Sequence, residues 1–123
     1  MKSRPMALLS GHAMRQARFS KDGALAWTSV SQKEIKQYGA GLSDADSVAD
    51  DLRSIEGVKI AALFRQTEKG GARVSLRSKA GINVAIVAQR FGGGGHHNSA
   101  GCRIGHSLAE RNGLLKSLEG LLG

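Results

Sequence analysis

A run of four glycines followed by a histidine is the part of this sequence best suited to binding chemistry. Residues 92–95 are glycine, and His96 follows them directly. Successive glycine amides can form a concave nest for an anion, because no Cβ keeps the ligand away from the backbone. Histidine adds a donor that carries charge near neutral pH. The stretch therefore predicts a cradle for a phosphate group or a nucleotide.

A cationic strand end precedes the glycines by one predicted helix. Arg77 and Ser78 close a predicted strand over residues 72–78, and a guanidinium group donates bidentately to phosphate oxygens. The alternative is that these two residues are an ordinary strand end exposed to solvent, with no ligand. The order of cationic strand end, helix and glycine loop favours a compact unit in which Arg77 and His96 surround one anion.

The residues around the glycines exclude two common phosphate-binding motifs. A dinucleotide fingerprint needs a preceding strand and a glycine at its sixth position, where this sequence has Asn98. A Walker loop needs a Lys-Ser or Lys-Thr pair after its glycines, and none follows here. A zinc site has suitable ligands in His96, His97, Cys102 and His106, but not the paired spacing of known zinc motifs. It stays an open alternative.

Charge and cysteine content limit the class of protein. Eighteen Lys+Arg against ten Asp+Glu give a net charge of +8, which is compatible with binding of nucleic acid, nucleotides or another polyanion, and equally with a basic surface that has no special partner. No apolar run approaches the ~20 residues that a membrane span needs. The single cysteine cannot form an internal disulfide, which predicts a cytoplasmic location. A stand-alone basic nucleic-acid-binding module, which binds through diffuse charge, is the competing function.

Hydrophobic periodicity predicts an α/β (α+β) domain with a mixed central sheet of about five strands flanked by helices. Residues 1–12 are expected to be a linker or a vector-derived remnant, and residues 13–123 a single domain. Strands are predicted over residues 13–19, 24–30, 58–66, 72–78 and 102–104, the first two joined by a hairpin at Asp22-Gly23. Helices are predicted to follow capping residues at Ser31, Ser43, Asn83 and Ser107.

The segment from Ile55 to Ile104 resembles the DHH-associated C-terminal domain of DHH-superfamily phosphoesterases. The resemblance rests on residues 55–58, 74–79, 91–96 and 100–101. It is strongest to the branch of nanoRNases and 3′-phosphoadenosine-5′-phosphate phosphatases, with RecJ-like exonucleases and cyclic-dinucleotide phosphodiesterases as relatives. It implies a domain that grips the phosphate or nucleotide of short oligonucleotides or bisphosphorylated nucleosides. Carried over by position, the substrate-contacting residues are Arg77, Ser78, Gly93, Gly94, Gly95 and His96.

The resemblance also implies that catalysis belongs to another part of the enzyme. Hydrolysis in this family depends on an N-terminal domain with an Asp-His-His motif and a pair of manganese ions. No Asp-His-His occurs in this sequence, so we expect no catalytic residue and no bound metal in this chain. Its expected partners are the substrate and the N-terminal DHH domain of the same polypeptide. The identity of the phosphoester and the formation of a homo-oligomer stay open.

Overall fold

A mixed six-stranded β-sheet forms the centre of the computed structural model, which describes residues 2–123. The strands lie in the order β1-β2-β3-β4-β6-β5. Neighbouring strands pair antiparallel except for β2 and β3, which are parallel. This confirms the predicted mixed sheet, with six strands where about five were expected. The strands are β1 (Arg18–Phe19), β2 (Leu25–Val30), β3 (Ile60–Gln66), β4 (Ala72–Ser78), β5 (Gly94–His96) and β6 (Ser99–Ile104).

Helices cover both faces of this sheet. Those in the described part of the chain are α1 (Arg4–Arg15), α2 (Gln32–Gln37), α3 (Leu42–Asp46), α4 (Val48–Arg53), α5 (Ala85–Arg90) and α6 (Leu108–Gly120). The first four pack on one side, here called the α1–α4 face, and the last two on the other, the α5–α6 face. Among residues 2–123, no helix combines the length and apolar character that crossing a bilayer requires.

The main hydrophobic core lies beneath α5 and α6. Leu76 of β4 and Ile60 of β3 pack there against Val87 and Leu114. Two smaller clusters lie under the α1–α4 face, where Leu63 contributes from β3. Because successive strand side chains point to opposite faces, β3 is buried on both sides, which confirms its predicted central place.

Several local predictions are confirmed. Ser31 accepts from the Glu34 N–H while Glu34 accepts from the Ser31 N–H, so the capping box before α2 is complete. Ser107 likewise caps α6. The helix predicted to follow a cap at Ser43 begins instead at Leu42, after Gly41, and is divided into α3 and α4, which meet at Ser47.

The N-terminal segment differs from the sequence-based expectation. Residues 4–15 form α1 instead of a linker followed by a strand, and β1 is only the two residues Arg18–Phe19. The Ser3 side chain accepts from the Met6 N–H, and Leu9 and Ala13 are fully buried. Tertiary packing of a narrow apolar stripe therefore stabilises a helix whose sequence periodicity is weak.

Leu9→Ala should lower the free energy of unfolding by about 2–5 kcal/mol, because it leaves a cavity between α1 and the sheet. Leu8 is its matched control, since it is adjacent in sequence but 52% exposed. Leu8→Ala should change the free energy by no more than about 0.5 kcal/mol. Urea denaturation of both variants measures the difference. Equal effects would show that α1 does not pack as described.

A contact between His12 and Glu34 ties α1 to the first turn of α2. Burial disfavours ionisation of the Glu34 carboxyl. Hydrogen bonds from the Ser31 N–H, His12 and the Ser31 hydroxyl outweigh that effect, so the pKa of Glu34 is lowered. The folded protein therefore binds this proton less tightly than the unfolded chain does.

The ionised Glu34 should stabilise the fold above its ordinary pKa of 4.5. That contribution should be lost as the pH falls below 4.5 and passes through the lower pKa of the folded state. Glu34→Gln should thus be less stable than the unaltered chain at pH 7, and the difference should shrink at acid pH. Urea denaturation at several pH values measures it, with the exposed Glu68→Gln as control. A difference independent of pH would contradict the assignment.

Candidate phosphate-binding site

The glycine run forms a strand over its second half instead of an open loop. Gly94–His96 are β5, an edge strand paired with β6, and His97 and Asn98 form the turn between them. The Gly93 N–H donates to the carbonyl oxygen of Ala88 at 2.8 Å, so this amide is already used at the end of α5. The predicted nest of consecutive free amides is therefore replaced by a β-hairpin.

Strand register places Arg77 and His96 on one face of the sheet. Arg77 of β4 lies opposite Ser99 of β6, and Ser99 lies opposite His96 of β5. Side chains of directly opposite residues share a face, here the α1–α4 face. Because neighbouring strands are about 4.8 Å apart, the two backbones are separated by about 10 Å. We call Arg77, Ser99 and His96 the Arg77 row.

A row of small residues runs beside it across the same three strands. Ser75, Gly101 and Gly94 lie opposite one another, and we call them the glycine row. A Cβ at Gly94 would meet no atom within 4 Å, so open space lies above the backbone there. Helix α4 packs over β3 and β4, while Ser99 and His96 beyond it are exposed. A ligand can therefore approach the bare backbone closely at Gly94, whereas Ser75 at the other end of the row is 5% exposed and donates to Asp46 Oδ1 at 3.3 Å.

An acidic side chain on α4 orients the Arg77 guanidinium. Its Nε donates to Asp50 Oδ1 at 2.8 Å, and its Nη1 donates to the Leu76 carbonyl oxygen at 3.0 Å. The side chain is 16% exposed. A guanidinium group carries five N–H donors in a fixed fork, so donors remain for an anion after these two bonds. The ion pair holds that fork in place before a ligand arrives.

Ser78 is separated from the other predicted site residues. It follows Arg77 in β4 and so points to the opposite face, where it is 1% exposed. Its hydroxyl donates to the carbonyl oxygen of Ile82 at 2.6 Å, and the carbonyl oxygen of His97 lies 3.1 Å from the same hydroxyl. The hydroxyl thus fastens the hairpin turn to the end of β4 and does not face the Arg77 row.

Two further residues that hold this turn were missed in the sequence analysis. The Asn98 side-chain amide donates to Ser78 Oγ at 3.1 Å and to the Lys79 carbonyl oxygen at 2.9 Å. Arg53 Nη1 donates to the carbonyl oxygens of Ser78 at 3.2 Å and Asn98 at 3.1 Å. Asparagine in a short turn is a usable sequence signal. Arg53 lies on α4, far from the hairpin in sequence, so no local sequence pattern predicts its contact with the turn.

The zinc alternative is not supported by the arrangement of its ligands. Cys102 points to the α5–α6 face, whereas His96 points to the opposite one. Burial raises the pKa of the Cys102 thiol, against a smaller opposite effect of Arg73. Among residues 2–123, no three His, Cys, Asp or Glu side chains are grouped so that they could hold a metal ion.

Comparison with known proteins identifies the family. Residues 27–123 match the DHHA1 domain. The chain belongs to the DHHA1 domain family. The match covers the sheet from β2 onward together with the hairpin, and it confirms the resemblance inferred from the glycine and Arg-Ser motifs.

Relatives of this DHHA1 domain include two curated proteins and a solved structure. The probable bifunctional oligoribonuclease and PAP phosphatase NrnA of Streptococcus mutans is 31% identical over 95% of the chain, which spans 37% of that protein. NrnA of Thermus thermophilus is 34% identical over 50% of the chain, which spans 18% of that protein. The crystal structure of an exopolyphosphatase-related protein from Bacteroides fragilis superposes with a TM-score of 0.81 at 22% identity, covering 96% of the chain and 35% of that structure. This last likeness shows the fold.

Gly93→Ala should lower the free energy of unfolding by about 1–3 kcal/mol, as overpacking does. A Cβ there would lie 2.0 Å from the Gly101 carbonyl oxygen and 2.8 Å from the Cys102 Cα. Gly94→Ala is the matched control, because a Cβ at Gly94 meets open space, and we expect a change within about 0.5 kcal/mol. Urea denaturation measures both. Equal stability of the two variants would contradict the hairpin packing.

Proposed function

We propose that this DHHA1 domain binds the phosphate or nucleotide part of short oligonucleotides or bisphosphorylated nucleosides, for hydrolysis by an N-terminal DHH domain of the same polypeptide. The observation that supports this most is the Arg77 row. It joins a preoriented, largely buried guanidinium at the edge of α4 and an exposed imidazole beyond that helix, on one face of the sheet and beside the bare backbone of Gly94. Guanidinium, imidazole and hydroxyl groups are all donors to phosphate oxygens.

In this proposal some of the predicted site residues contact the ligand and the others position them. Arg77 holds a phosphate through its remaining N–H groups, and His96 donates to phosphate or sugar. Gly94 lets the ligand reach the backbone. Gly93 and Gly95 pack tightly against β6, since a Cβ at Gly95 would lie 2.6 Å from the Ala100 Cα. These two glycines, like Ser78, act as positioning residues.

The chemical step is assigned to the DHH domain. The described residues hold no group of metal ligands, and phosphoryl hydrolysis by a two-metal centre needs several convergent carboxylates and imidazoles. The names of the relatives, oligoribonuclease and PAP phosphatase, support a phosphoester as substrate. Manganese would be bound by the DHH domain. The 123-residue chain alone should then bind the substrate without turning it over, and manganese-dependent turnover by it would contradict this division.

Arg77→Gln and His96→Ala should each weaken binding of adenosine monophosphate by about tenfold or more. A hydrogen bond to a charged group contributes about 1.5–3 kcal/mol, and each 1.4 kcal/mol corresponds to about tenfold in affinity. Isothermal titration calorimetry measures the loss, and circular dichroism checks the fold. Lys116→Gln is the control, since Lys116 is an exposed cation on α6. Unchanged affinity in both site variants would contradict the proposal.

The same variants separate this proposal from a stand-alone basic nucleic-acid-binding module, which the net charge of +8 favours. A diffuse basic surface should bind a short RNA almost as well after Arg77→Gln. The slope of log K against log salt would then change by about 0.7, the value for one phosphate contact on a single strand. A defined pocket should lose most of its mononucleotide affinity in the same variant.

A further inference from the structure

A groove on the α5–α6 face lies on the other side of the sheet from the Arg77 row. Trp27 of β2 lies opposite Ala62 of β3, which belongs to the core beneath α5 and α6. Arg18 of β1 lies opposite Trp27, so its side chain shares that face. The groove has a volume of about 490 Å³, within the range of ligand sites, and we call it the Trp27 groove. It is lined by Gln16, Arg18, Trp27, Thr28, Ser29 and Arg111.

Two cations line the Trp27 groove without a counter-charge from residues 2–123. Neither Arg18 nor Arg111 forms an ion pair with a carboxylate of those residues. The carboxylates nearest to them in sequence, those of Asp22 and Glu110, accept hydrogen bonds from backbone N–H groups instead. No aspartate or glutamate lines the groove. It therefore presents two uncompensated positive charges, which attract an anionic ligand.

The hydrophobic core holds one of these two guanidinium groups in place. Arg111 lies near the start of α6, and its Cζ is 4.8 Å from the centre of the Phe64 ring. Phe64 is 2% exposed, so Arg111 covers a buried ring through a cation–π contact. Because this contact uses the face of the guanidinium, the N–H groups at its edge can still donate to an anion.

Trp27 provides an aromatic surface beside these cations. Its indole packs against the main core but is only half-buried. No other aromatic ring or cation of residues 2–123 stacks on it. Arg18 is its direct neighbour on β1, where opposite Cβ atoms are about 5 Å apart. An aromatic ring beside cations is typical of sites for single strands, because bases stack on the ring while phosphates contact the cations.

The Trp27 groove adjoins a second depression towards the start of α6. Ser29 and Arg111 line both, and the second depression, of about 330 Å³, extends past Phe64 to His106. No aspartate or glutamate lines this depression either. A ligand that extends past Arg111 thus meets no negative side chain among the lining residues. This favours an extended polyanion over a single small anion.

We propose that the Trp27 groove binds single-stranded nucleic acid, with a base stacked on Trp27 and neighbouring phosphates held by Arg18 and Arg111. This inference goes beyond the proposed function, which concerns the opposite face of the sheet, and it does not depend on that function. The groove would hold a strand to the domain whether or not a ligand occupies the Arg77 row. The phosphates supply the counter-charge that the two arginines do not receive from residues 2–123.

Fluorescence titration tests this proposal directly, because Trp27 is the only tryptophan in the sequence. Hexaadenylate RNA added to the 123-residue chain should quench the Trp27 emission in a saturable manner, since a stacked base lies against the indole. Hexaglutamate carries a similar charge without bases, and it should neither quench the emission nor compete with the RNA. Equal binding of both would overturn the assignment to nucleic acid. The proposal would also fail if fluorescence anisotropy of labelled hexaadenylate showed no binding, or showed binding without quenching.

Charge variants separate a defined groove from a diffuse basic surface. Arg18→Gln/Arg111→Gln should weaken binding of labelled hexaadenylate about tenfold or more. The slope of log K against log salt should fall in magnitude by about 1.4, the value for two phosphate contacts on a single strand. Lys33→Gln/Lys36→Gln removes the same charge from two exposed positions on α2, and it should change the affinity by no more than about twofold. An equal loss in both double variants would overturn the groove.

Substitutions at Trp27 and Arg77 complete the test. Trp27→Leu should weaken hexaadenylate binding about fivefold or more, because a base stack is lost, whereas Trp27→Phe keeps a ring and should retain most of the affinity. Circular dichroism checks that both variants fold, and equal affinities of the two would overturn base stacking. Arg77→Gln should leave the quenching of Trp27 unchanged, and loss of quenching in it would overturn a separate groove. Failure of adenosine monophosphate to bind would contradict the proposed function alone.

Discussion

Direct backbone contact between Gly93 and β6 is the constraint on which the exposed face depends. No side chain separates Gly93 from Gly101 and Cys102, so β5 begins at a fixed distance from its partner strand. A shift of one residue in a β-ladder moves every side chain to the opposite face. Such a shift would turn His96 towards the α5–α6 side and remove it from Arg77. Close glycine packing thus fixes which chemical groups meet.

The hydrogen bonds around the hairpin turn reinforce that register from the other end. Arg53, Ser78 and Asn98 join α4, the end of β4 and the turn. Asp50, one helical turn from Arg53, also orients Arg77. A single short helix therefore positions both the turn and a guanidinium group. In this way α4 couples the two ends of the Arg77 row.

The sequence predicted that Arg77 and His96 would lie in one unit, and the strand register places them on one face, but it did not separate Ser78 from them. Period-two alternation along β4 places Arg73, Ser75 and Arg77 on one face, and the register agrees with it. The same alternation excludes Ser78 from that face, a consequence that the family motif obscured, because Arg77 and Ser78 stand together in it. Strand β5 was missed because glycines have little intrinsic β propensity, so only pairing with β6 defines it. Helix α1 was missed because few of its residues are buried.

The helices cover the α1–α4 face of the sheet unevenly, and this leaves one side of any bound ligand exposed. Helix α4 packs as far as β4, and beyond it Ser99, Arg103 and His96 lie exposed. The exposed part of the sheet is thus bounded by α4 on one side and is open to solvent above. A molecule resting on it is gripped from below while its upper surface stays bare. This face therefore holds a ligand from one side only, and the opposite side of the ligand is left for a second protein surface to contact.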